Sequence, residues 1–118
     1  MKKILHISKY YYPDLGGIES VVKQLCEGVT TYHNIVLCYS SDRQSSVTEI
    51  NGVKVFRAGI YANVMSQPLS LGYYNQYRKI VKQYDPKIVV VHCPNPFAYP
   101  MVMMFTPRKT KVVLHWHS

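Results

Sequence analysis

Acid is scarce in this chain. Its 118 residues carry 6 Asp and Glu against 14 Lys and Arg, a formal net charge of +8 at pH 7. Such an imbalance points to an anionic partner, whether nucleic acid, an acidic membrane surface or a phosphorylated substrate, or else to an ordinary solvated surface. Cysteine is also sparse. Cys26, Cys38 and Cys93 are an odd number, at spacings that fit neither a zinc site nor a disulfide framework. Reduced thiols in the cytosol are the simple account. Long apolar runs are missing. The most apolar stretch, 97–105, is broken by Pro100 and falls far short of the ~20 residues a membrane span needs. Lys2 and Lys3 are followed by only Ile4 and Leu5 before His6, so no signal peptide is expected. Internal repeats, low-complexity tracts, a Walker-type phosphate loop and the paired carboxylates of a phosphotransfer receiver are all lacking as well.

What remains is the material of one folded domain. Hydrophobic residues make up 47% and charged residues 17%, which excludes disorder and allows a real core. Tyrosine is abundant, at 11 residues. It suits core edges and groove walls because it joins apolar area to a polar tip.

The hydrophobic pattern predicts strands over 3–8, 34–39, 53–58, 87–93 and 111–117. Helices are expected over 17–29, from Pro68 to about Tyr84, and over 96–105. In the first helix Ile18, Val21, Val22, Leu25, Cys26 and Val29 recur at helical spacing. Asp85-Pro86 stops the second. Ile88-Val89-Val90-Val91 has the continuous apolarity of a strand covered on both faces. The stretch 40–51 is polar, and Asn51-Gly52 marks a turn. Helices alternating with buried strands predict an α/β fold: a Rossmann-like, doubly wound, mostly parallel five-stranded sheet in order 3-2-1-4-5, with helices on both faces. Its third strand is parallel if the polar loop crosses over and antiparallel if that loop closes a hairpin. The order reverses between the first and fourth strands, and ligands bind outside the strands' carboxyl ends at such a reversal.

The junction after the first strand is the sharpest chemical signal. Gly16-Gly17 leaves no Cβ to obstruct a ligand near the backbone, and the helix that follows directs free N–H groups and its positive dipole end to the same spot. That combination suits a phosphate. The fourth strand runs into His92-Cys93-Pro94-Asn95-Pro96 and the fifth into His117-Ser118. All three segments should meet on one rim, which gathers Gly16, Gly17, Glu19, His92, Asn95 and His117. Each has a plainer reading as well. The glycines suit a tight turn, Glu19 favours a helix start, His92 suits a strand end and Asn95 suits a turn between prolines. His117 has the chemistry to bond a substrate hydroxyl or stabilise charge as a bond breaks. His115 and His117 share a strand face. With His92 they raise a metal reading, but no carboxylate or cysteine completes a site. His6 and His33 read as structural or surface residues.

Pro13-Asp14-Leu15-Gly16-Gly17-Ile18-Glu19, His92-x-x-Asn95-Pro96 and Leu114-His115-Trp116-His117-Ser118 together resemble the N-terminal domain of family-four glycosyltransferases of the GT-B fold. The resemblance covers the whole chain. It implies an acceptor-side domain over 1–118 facing a donor-binding domain across a cleft. It also implies transfer of a sugar from a nucleotide-diphosphate sugar, with retention of configuration and without a metal or other cofactor. Gly16 and Gly17 would lie against the donor diphosphate. His117 would be catalytic, beside the donor sugar, and Glu19, His92 and Asn95 would bind or support substrate. The family's donor-binding domain is not within these 118 residues, so the isolated domain is expected to fold but not to transfer sugar.

Two rivals stand beside this reading. One is a dinucleotide-binding oxidoreductase, with Asp42 placed as a ribose-binding acid, although Gly16-Gly17 is not G-x-G-x-x-G. The other is a non-enzymatic anion-binding module. Nucleic acid is not expected as a partner, because the basic residues are dispersed and no recognised motif is present. The resemblance implies nucleotide-sugar and sugar or lipid-linked substrates in the cytoplasm, with peripheral contact at the inner face of an anionic membrane. Lys79, Lys82, Lys87, Arg108, Lys109 and Lys111 are the candidate basic face.

Overall fold

The computed structural model describes residues 2–9, 33–40, 43–50, 52–60, 62–64, 67–93 and 95–116. The expected helix over 17–29, with Gly16, Gly17 and Glu19, lies outside these residues, as do Asp42, Asn51 and His117. Among the described residues eight strands are formed: β1 (Lys3–Ile7), β2 (His33–Tyr39), β3 (Ser46–Ile50), β4 (Val53–Ala58), β5 (Ala62–Val64), β6 (Gln67–Leu69), β7 (Ile88–Cys93) and β8 (Lys111–Trp116). The helices are α1 (Leu71–Tyr84) and α2 (Ala98–Phe105).

The main sheet runs β3-β4-β2-β1-β7-β8. Without β3 this is the expected order 3-2-1-4-5, and all five expected strands are mutually parallel. The strand count needs correction, since the sheet has six strands. β3 arises inside the stretch read as a polar loop and pairs antiparallel with β4. Its side chains are exposed as far as Glu49, as an edge strand permits, and so it shows no apolar run to detect. The loop therefore closes a hairpin, while β4 stays parallel to β2. Gly52 turns the hairpin at φ +82°, a backbone state that glycine enters without steric cost. β5 and β6 form a separate antiparallel pair, also unforeseen.

One face of the sheet carries Leu5, Ile7, Ile35, Leu37, Tyr39, Val89, Val91 and Cys93. It packs on Tyr73, Tyr77, Ile80 and Val81 of α1 and on Ala98, Met101 and Val102 of α2. The opposite face buries Val36, Cys38, Val53 and Val55 as a second cluster. Two-sided burial is what fixes the register. A one-residue slip of β1 would exchange Leu5 and Ile7 for Ile4 and His6.

α1 begins where Ser70 caps it, its Oγ accepting from Tyr73 N–H at 3.1 Å. The same hydroxyl donates to Gly59 O at 2.6 Å, which anchors the helix start to the end of β4. Gly59 is the only residue type that fits there, since a Cβ would come within 2.2 Å of Arg43 O. α1 ends at Asp85, which takes the left-handed conformation at φ 47° and donates its N–H to Val81 O, as Asp85-Pro86 predicted.

Candidate functional site

Parallel pairing turns the carboxyl ends of β1, β2, β4, β7 and β8 to one edge of the sheet. β1 and β7 are neighbours, as are β7 and β8. The chain leaves that edge at Ser8 toward Gly16-Gly17, at Cys93 toward Asn95, and at Trp116 toward His117. The order reverses between β1 and β7, as expected. Of the six candidate site residues, His92 and Asn95 lie within the described residues, and both sit at this edge.

His92 is 1% exposed and belongs to a row of imidazoles. Its Nε2 is 3.1 Å from His6 Nδ1, and His6 Nε2 is 3.1 Å from Asn34 Oδ1. The His6 and His92 rings stack, with centroids 5.4 Å apart, and the His115 ring lies 5.4 Å beyond His92. Hydrogen-bond polarity assigns the tautomer. Asn34 Oδ1 only accepts, so His6 carries its proton on Nε2 and receives the Nε2–H of His92 at Nδ1. Burial pushes the His6 pKa below its ordinary value, against the opposing effect of the hydrogen bond it donates to Asn34, and the charge of His115 lowers it further. His6 is therefore a core residue behind the site, which corrects the surface alternative. Alternation along the first strand was the signal that could have found it, since His6 falls on the face opposite Leu5 and Ile7.

Asn95 is also 1% exposed. Its Nδ2 donates to the phenol oxygen of Tyr73 at 3.2 Å, and the Tyr73 hydroxyl donates to Ser8 O at 2.9 Å. Ser8 follows β1 and Asn95 follows β7, so one phenol joins the exits of two strands. The Tyr73 ring stacks on Tyr39 at the end of β2, with centroids 4.0 Å apart and planes 14° apart. Burial raises the Tyr73 pKa well above its ordinary value. Tyr39 N–H also holds Lys9 O at 2.7 Å, which fixes where the glycine-bearing segment departs. The sequence pattern places Tyr73 only within the helix expected from Pro68 to about Tyr84. Its reach to two loops is set by tertiary packing.

A cleft of ≈ 490 Å³ lies elsewhere. It is lined by Arg78, Val81, Lys82, Asp85, Phe105, Pro107 and Lys109. These residues precede β7 and β8 or end α1, so the cleft sits at the amino end of the sheet, away from His92 and Asn95. A second cleft at that end is lined by Lys2, Lys3, Tyr84, Asp85 and Lys87. Arg78 stacks over Phe105 at 5.0 Å, and Lys109 pairs with Asp85 at 3.1 Å.

Residues 15–118 match Glycosyltransferase Family 4. The chain belongs to that family. It is 34% identical to D-rhamnosyltransferase WbpZ of Pseudomonas aeruginosa and 29% identical to O-antigen chain mannosyltransferase C of Escherichia coli, in each case over 98% of this chain. It spans 30% and 31% of those relatives' own lengths. Family membership does not favour the oxidoreductase or the bare anion-binding module. Among the described residues no helix is long and apolar enough to cross a membrane.

Proposed function

We propose that this chain is the N-terminal, acceptor-side domain of a glycosyltransferase that moves a hexose-type sugar from a nucleotide-diphosphate donor to a sugar or lipid-linked acceptor. The match of residues 15–118 to the family carries this reading. The convergence of the β1, β7 and β8 exits on one edge supports it. Both named relatives transfer sugars, one a rhamnosyl and one a mannosyl group.

In this reading the bond between the anomeric carbon and the diphosphate oxygen breaks, a bond to an acceptor hydroxyl oxygen forms on the same face of the sugar, and the proton of that hydroxyl passes to the leaving diphosphate. Retention and independence of a metal come from the resemblance. Negative charge builds on the leaving diphosphate. Backbone N–H groups at Gly16-Gly17, together with the positive dipole end of the helix that the sequence predicts over 17–29, would be suited to receive it. His117 acts beside the sugar, where an imidazole stabilises charge or bonds a hydroxyl as the bond breaks. Glu19, His92 and Asn95 support the substrate. A second, donor-binding domain in the longer protein would close the cleft and exclude water, which strengthens each of these electrostatic contacts. The chain described here, tested alone, should show no transfer.

The test is steady-state kinetics of sugar transfer by the full-length protein. His117→Ala should lower kcat by about 10²-fold or more, the scale of losing a transition-state contact, while changing donor KM far less. Wild-type kcat in that variant would remove His117 from its role.

A further inference from the structure

We propose that Tyr73 is a positioning residue that turns the Asn95 carboxamide so that its oxygen, Oδ1, receives a hydroxyl of the bound sugar. This deepens the glycosyltransferase reading and rests on it. The phenol has one hydrogen. Ser8 O is a backbone carbonyl, which only accepts, and it lies 2.9 Å from the phenol oxygen, so the hydrogen is committed there. Toward Asn95, at 3.2 Å, the phenol oxygen is left only to accept. The carboxamide must therefore present its NH₂ to Tyr73. Its oxygen, on the other arm of the planar group, turns away.

The arrangement cannot relax by swinging the ring. Tyr73 is fully buried and its ring is stacked on Tyr39. Burial also keeps the phenol protonated, so the donor to Ser8 persists. Among the described residues the Asn95 side chain makes this one hydrogen bond, and Oδ1 receives none. An amide oxygen this deeply buried without a donor is uncommon and costly, which marks a place where a ligand group completes the bonding. An acceptor repels phosphate and carboxylate and admits a hydroxyl or an N–H. Asn95 thus belongs with the sugar rather than with the diphosphate, and the same phenol sets the exits of β1 and β7 at a fixed separation.

Two readouts test this independently. In the chain described here, one Asn95 side-chain amide proton should exchange with solvent at least tenfold more slowly than those of exposed Asn75. Tyr73→Phe, which keeps the ring, should abolish that protection. An unprotected amide in the wild type would overturn the assigned orientation. In the full-length protein, Asn95→Ala and Tyr73→Phe should each raise the KM for the sugar-bearing substrate about tenfold, the scale of one hydrogen bond, with kcat within threefold. Unchanged KM in both variants, alongside a protected amide, would show that Asn95 bonds only protein and water. If the wild-type protein transfers no sugar, the glycosyltransferase reading fails by itself. Titration of the chain with methyl α-D-mannopyranoside, followed at the Asn95 amide resonances, then decides the hydroxyl contact: shifts that disappear in Tyr73→Phe support it, and unmoved resonances refute it.

Discussion

His6 shows how one buried side chain ties stability to pH. In the folded chain its imidazole is packed between Asn34 and His92 and its pKa is held below the ordinary value, chiefly by burial. The unfolded chain, with an imidazole near its usual pKa of about 6.5, takes up the proton first. Stability is therefore full above that pH and falls as pH drops through it toward the lower folded pKa. His6→Gln keeps a donor for Asn34 and an acceptor for His92 but does not titrate. Urea denaturation at pH 7.5 and pH 5 should show the wild type losing more stability on acidification than His6→Gln. Equal losses would mean that His6 does not carry the effect. At this scale the sequence was only partly readable. Asn95 was marked by its place between two prolines after a strand. Its partner Tyr73, 22 positions earlier, was not, because no local pattern reports which loops a helical phenol will reach.

Elements followed local pattern wherever pattern was strong. The apolar runs of β1, β2, β4, β7 and β8 and the stop of α1 at Asp85-Pro86 were legible, the strands because each buries a face and burial writes a period into the sequence. β3 was not, because Ser46–Ile50 is an exposed edge whose alternation has nothing apolar to display. The start of α1 was placed early for a related reason. Pro68 suggested a helix opening, but 67–69 pairs as β6 and Ser70 supplies the cap. Ser70 acts twice, accepting from Tyr73 N–H and donating to Gly59 O. Ser70→Ala should therefore cost about 1–3 kcal/mol, the sum of a lost cap and an orphaned carbonyl, measured by chemical denaturation. A loss below ~0.5 kcal/mol, the floor for a lost cap, would show that neither bond matters.

For the molecule as a whole, strand order and the point of reversal were predictable from the alternation of strands and helices, and Lys79, Lys82, Lys87 and Lys109 of the expected basic face do line neighbouring clefts. Lys2, Lys3, Arg78, Lys79, Lys82, Lys87 and Lys109 line clefts near the amino end of the sheet, while His92 and Asn95 mark the carboxyl end. We propose that this basic face meets an anionic surface rather than the donor diphosphate. Each such residue near an anionic membrane contributes about 1 kcal/mol. Binding to vesicles rich in anionic lipid should weaken steeply with added salt and fall when Lys79, Lys82 and Lys109 are replaced by Gln. Salt-independent binding, or none, would refute peripheral attachment through this face. The central claim is that the segments leaving β1 and β8 meet on one rim. Spin labels at Ser20→Cys and Ser118→Cys, with Cys26→Ser to remove a competing thiol, measure it most directly by dipolar spectroscopy. A rim shared by both sites predicts a separation below about 20 Å. A distance beyond ~25 Å, more than the length of a seven-residue strand at ~3.3 Å per residue, would put the glycine pair and His117 at opposite ends and contradict the account.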